Sequence, residues 1–127
     1  MTPAPPASDL PAAVWRCLRD LVDHTDQAAR LVARGRQVYQ RDEMLQLAAE
    51  SLFVRMGEIA ARAARAAPAV QDQHPDLALR RLIDVRNVVS HGYAIIDSAQ
   101  LWFILENDLP PVADAAARLL EQAPHGD

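Results

Sequence analysis

"MLQLAAESLFVRMGEIA", residues 44–60, decides the fold. Leu45, Ala48, Leu52, Met56 and Ile59 recur at three- and four-residue steps and Ala63 continues the series, so one face of an α-helix is apolar. The pattern starts at about Asp42, runs to Ala67 and stops at Pro68. A second line, Leu47, Ser51, Val54 and Glu58, lies roughly opposite the first, at about 100° per residue for 3.6 residues per turn. A helix apolar on two faces wants two neighbours. Strand signals are almost absent from the whole chain: "YAII", residues 93–96, is the one short candidate, and no Asn-Gly or Asp-Gly hairpin occurs.

Upstream, Val14, Leu18, Leu21, Thr25, Ala28 and Val32 keep the same spacing and predict a helix over about 10–34. Ser8 or Asp9 is the expected cap, Pro11 fits the first turn and Gly35 is the expected stop. Downstream, "AVQDQHPD", residues 69–76, reads as a polar loop, with Asp76 capping a third helix. Asp97 opens another, with Gln100 at the capping-box position and Leu101, Trp102, Ile104 and Leu105 to bury. Pro110 and Pro111 cannot donate hydrogen bonds, so they break or restart it after Asn107 or Asp108. The last helix then buries Val112, Ala115 or Ala116, Leu119 and Leu120. The expectation is an all-α, up-and-down bundle of four to five helices. A Pro- and Ala-rich disordered lead-in covers 1–8, one helical domain 9–122 and a flexible tail 123–127.

Size and charge narrow what such a bundle does. A chain of 127 residues supports one hydrophobic core and not two ordinary domains. All 13 basic residues are arginine and the formal charge is −4, which argues against sequence-independent coating of nucleic acid and leaves room for a local cationic site. Cys17 is the sole cysteine, so it forms no intrachain disulfide. His24, His74 and His125 are scattered without metal-ligand spacing, and no Gly-rich phosphate loop occurs, so neither a metal nor a nucleotide cofactor is expected. No apolar run reaches membrane-spanning length and "MTPAPPASDL" does not read as a signal peptide, so no membrane association is expected and the expected address is cytoplasmic.

The third helix carries the anomaly. With Leu79 at zero, Leu82, Ile83 and Val89 fall within about 80° and define an apolar arc, yet Arg86 lands near its centre. His91 falls about 120° from Leu79, and Gly92 offers the left-handed conformation that ends helices and re-aims the chain beyond it. A guanidinium in an apolar stripe needs a partner, and Glu58 on the second line of the preceding helix is the candidate for a core ion pair. Taken together, Arg86, His91 and Tyr93 are a permanent cation, a proton carrier near neutral pH and a phenol within eight residues. A fixed arginine stabilises phosphate charge in a transition state, and a histidine acts as general acid or base. That equipment suits metal-independent RNA cleavage, in which the 2′-hydroxyl attacks its own phosphate.

"RNVVSHGY", residues 86–93, is an arginine, four residues, a histidine, one residue and a tyrosine, with asparagine directly after the arginine. It resembles the motif of the HEPN superfamily, most closely its HepT-like toxin branch. The likeness extends to "MLQLAAESLFVRMGEIA" with its Gly-Glu pair, to "HPDLALRRLIDVRNVVSHGY" and to "LWFILENDLPPVADAA", and covers roughly residues 10–120.

The resemblance implies a homodimer formed through the motif-bearing face, two motif copies meeting in one cleft. It implies Arg86 and His91 as the ribonuclease residues, with Asn87 orienting them and Glu58 supporting the site. Tyr93 matches the tyrosine that a nucleotidyltransferase antitoxin adenylylates in some members. The function so implied is an endoribonuclease toxin of a type VII-like toxin-antitoxin pair, with single-stranded or loop RNA, tRNA or mRNA, as substrate. The alternative keeps the fold and loses the enzyme: a non-catalytic helical dimer that serves as a binding or docking subunit for a nucleotidyltransferase.

Overall fold

The computed structural model describes residues 9–91 and 97–124; the expected lead-in over 1–8, "YAII" and most of the tail lie outside them. α1 (Ala12–Ala33) is followed by α2 (Arg36–Arg41), α3 (Glu43–Ala66), α4 (Val70–Gln73), a 3₁₀ turn (Pro75–Leu77), α5 (Leu79–His91), α6 (Ser98–Phe103), a π-helical stretch (Ile104–Asp108) and α7 (Leu109–Leu120). No strand occurs among the described residues, and the chain is an all-α bundle. α3 lies between α5 and α1, and α1 packs in turn on α7.

The stripes account for this arrangement. Val14, Leu18, Leu21 and Ala28 of α1 are buried, as are Leu52, Met56, Ile59 and Ala63 of α3 and Val112, Ala115, Ala116 and Leu119 of α7. Leu45 and Leu120 are half-buried at the margin, and Ala48 is exposed. Trp15 and Trp102 both lie in the core. Their indole N–H groups have no acceptor among the described residues, a cost of about 1–3 kcal/mol for each buried donor left unpaired. The second line of α3 is not covered as its pattern suggests: Leu47 is 52 % exposed, Ser51 and Glu58 are exposed and Val54 is half-buried.

Several junctions differ from expectation. α1 begins at Ala12, and its cap position belongs to Pro11, whose carbonyl accepts from the N–H groups of Val14 and Trp15 at 2.9 and 3.3 Å. Asp9 therefore does not cap it. Gly35 has φ +94°, a conformation that glycine adopts without strain, and it separates α1 from a short helix that periodicity over so few residues does not reveal. Within that helix Tyr39 is fully buried, its ring 5.0 Å from that of Trp102. Asp42 then caps α3 by accepting from the N–H groups of Met44 and Leu45.

The expected polar loop contains α4, whose Val70 is buried, and the 3₁₀ turn. Asp76 sits inside that turn rather than capping α5; the reversal into α5 is made by Ala78, which is left-handed at φ 52°. At the far end, the prolines restart α-helical bonding without ending the helical backbone. The N–H of Leu109 reaches back five residues to the carbonyl of Ile104, which widens the turn ahead of Pro110 and Pro111. No described helix is long and apolar enough to cross a membrane.

Candidate functional site

Arg86 stands on α5 where that helix crosses α3, and the residue beneath it is Gly57. A Cβ on Gly57 would overlap the Cβ of Arg86 and come within 2.9 Å of both its Cγ and the carbonyl oxygen of Leu82. The missing side chain therefore lets the two helix backbones approach until the stem of Arg86 lies flat on α3. This explains how an arginine occupies an apolar stripe: its first methylenes are packed on α3 while its guanidinium finds a polar partner on its own helix. Arg86 is half-buried, and its Nε and Nη2 donate to the Oδ1 of Asn87 at 3.1 and 2.9 Å.

The expected ion pair with Glu58 is not formed. Gly57 faces α5, and Glu58 is turned about 100° further round α3, where it is exposed. Among the described residues the ion pairs are Arg30–Asp26 and Arg81–Asp108, both on the surface. Asn87 thus fixes the guanidinium plane without neutralising it.

His91 closes α5 and is exposed in its last turn. Because the helix continues through it, Arg86 and His91 are about 140° apart around the axis and about 7.5 Å apart along it. One copy of the chain does not put both on one face. Gly92 and Tyr93, the expected re-aiming residue and modification site, lie outside the described residues.

Beside α5, a cavity of about 400 Å³ opens between Arg81, Asp84, Val85 and Val88 on one side and Gln100, Phe103 and Ile104 on the other. Val88 is 38 % exposed and Phe103 58 %. α6 forms the second wall because both ends of its first turn are fixed. Asp97 accepts from the N–H of Ala99, and the Gln100 side chain accepts from the N–H of Asp97, which completes the expected capping box. Tyr39 adds a tether from α2, its hydroxyl donating to the carbonyl of Ser98 at 3.0 Å. Burial first, then the charges of Glu50 and Asp97, raise the Tyr39 pKa above the ordinary phenol value and keep it a donor.

Other reactive groups are placed elsewhere. Cys17 is buried in α1, and burial raises its thiol pKa despite the nearby Arg62. A ring nitrogen of His24, Nδ1, lies 2.7 Å from the carbonyl of Asp20 one turn earlier. No group of three or more His, Cys, Asp or Glu residues among the described ones is disposed to hold a metal ion.

The resemblance seen in the motif extends to the whole bundle. The family model described as "Ribonuclease HepT-like" matches residues 21–119, from the middle of α1 almost to the end of α7. The chain belongs to the HepT-like family. No curated protein and no solved structure matches it. The match takes in both helices of the seam, so membership in this ribonuclease family covers the Gly57–Arg86 crossing and the exposed end of α5 together. Gly57 is the residue that motif reading undervalues. A glycine inside an otherwise strong helix costs about 1 kcal/mol against alanine, and that local penalty is the signal of a close backbone approach.

Proposed function

We infer that the chain is a metal-independent endoribonuclease toxin, active as a homodimer and restrained by a nucleotidyltransferase antitoxin that adenylylates Tyr93. The observation that carries this reading is the guanidinium of Arg86, held in orientation by Asn87 and not neutralised by a carboxylate of any described residue, on a helix that ends in an exposed histidine. A cation so held suits the extra charge on a phosphate under attack, because its plane is set before the reaction begins. His91 takes the proton of the 2′-hydroxyl or gives one to the leaving oxygen.

The dimer brings the two groups to bear on one phosphate. Within a single copy, Arg86 and His91 occupy different sides of α5, and the apolar surface next to them, Val88 and Phe103, has no cover among the described residues. A second copy on that surface buries it and sets two α5 ends around a common groove. Adenylylation of Tyr93, two residues beyond His91, adds bulk and negative charge to that groove and keeps RNA out.

A second reading rests on the same 140° separation: the chain is a non-catalytic dimer that docks a nucleotidyltransferase, and Arg86 belongs to the interface. Expression in a bacterial host separates the two. The nuclease reading expects growth arrest by the wild type and none by Arg86→Ala, with the variant still folded and dimeric. Arrest of equal strength by both would leave Arg86 with no part in toxicity.

A further inference from the structure

A second arginine cluster lies away from the motif helix, in a groove of about 470 Å³ between the C-terminal half of α1 and the first half of α3. Gln27 and Arg30 stand on one face of α1, and Arg34, which caps its C-terminal end, follows at the next four-residue step. Ser51 and Arg55 face them from α3, and the floor is apolar, including Leu31 and Leu52. No acidic residue among the described ones lines the groove. Arg30 is paired with Asp26 at 2.8 Å, an exposed pair that competes weakly with other anions. Arg34 and Arg55 are exposed and make no ion pair with a described residue. In a chain of net charge −4, two such guanidiniums over a leucine floor are a local reversal of the average.

We propose that this groove binds the phosphodiester backbone of single-stranded RNA at a distance from the scissile bond. Guanidiniums take phosphate oxygens two at a time, and their planes stack on bases, while the leucines meet a ribose or a base face. From Leu45 to Arg55 the wall runs about 15 Å at about 1.5 Å per residue, enough for more than one phosphate. The chemistry favours a nucleic acid over a peptide strand. The walls are two helices whose main-chain groups already bond within themselves, so an extended peptide finds no backbone partners, whereas phosphates need only the side chains. The site extends the ribonuclease reading: substrate length is sensed here and cleavage occurs at α5.

The test uses the His91→Ala protein, so that bound RNA stays intact, and measures anisotropy of a labelled single-stranded RNA about twenty nucleotides long. Arg34→Gln with Arg55→Gln, both at exposed positions, is expected to weaken binding at least tenfold. It should also reduce the slope of log affinity against log salt by about 1.4, from about 0.7 per lost phosphate contact on a single strand. In the otherwise wild-type protein, the double variant should leave cleavage of a dinucleotide unchanged.

Unaltered affinity and slope in the double variant overturn the proposal, as does polyglutamate binding that depends on these arginines when RNA binding does not. Loss of cleavage on His91→Ala would then still uphold the nuclease. Conversely, arginine-dependent RNA binding together with cleavage indifferent to His91 upholds the groove and removes the catalytic assignment.

Discussion

Along α5, the stretch from Leu79 to Val85 buries Leu79, Leu82 and Val85, whereas the stretch from Arg86 to His91 buries no side chain. Both stretches share one apolar arc in the sequence, with Arg86 near its centre and Val89 within it. The difference arises at the crossing with α3, where Gly57 admits the stem of Arg86 and the helix then continues beyond full cover. A single helix thus changes from buried scaffold to uncovered surface, the candidate site, within one turn. Hydrophobic period alone is blind to the change, because it reports which face turns inward and not how far the neighbour extends.

Leu82→Ala tests the buried half and carries the largest expected effect. Leu82 is 2 % exposed, so losing its side chain should cost about 2–5 kcal/mol in urea unfolding. Cleavage per folded molecule should be retained; a variant that is stable but inactive would erase the distinction between the halves. Gly57→Ala acts at the boundary. Overpacking against Arg86 and the Leu82 carbonyl should cost about 1–3 kcal/mol, although alanine is the better helix former. It should also reduce cleavage by displacing the guanidinium, and an increase in stability would show that the helices do not approach as described. Ala78→Gly, ahead of the buried half, should do least. It relieves a left-handed alanine worth about 1–2 kcal/mol, offset in part by the greater freedom of glycine in the unfolded chain, so a gain of up to about 1 kcal/mol with unchanged cleavage is expected.

The long helices were legible because their stripes persist for several turns: Leu52, Met56, Ile59 and Ala63 all reach the core as their spacing requires. α2 and α4 were not, since six and four residues are too short to establish a period. The Asp97–Gln100 cap was legible because both partners are close in sequence, whereas Tyr39 reaching Ser98 is a contact 59 residues apart. At the site, residue identity came from the motif, but the partner of Arg86 did not. Glu58 looked suitable by charge, and Asn87 holds the guanidinium because it is the adjacent residue while Glu58 faces solvent. Two grooves with different charge, one at α5–α6 that includes Asp84 beside Arg81 and one at α1–α3 lined by arginines without an acid, depend on how the helices pack, and that is decided only in the fold.

On the proposed reading, the exposed end of α5 cleaves RNA with its own side chains. The most direct measurement is cleavage of a labelled RNA by purified protein in excess chelator, for the wild type and for His91→Ala with matching circular dichroism and oligomeric state. Cleavage by the wild type is expected, with a loss of about 10²–10⁴-fold in the variant, the usual contribution of a general acid or base. Equal cleavage by both proteins would contradict that reading.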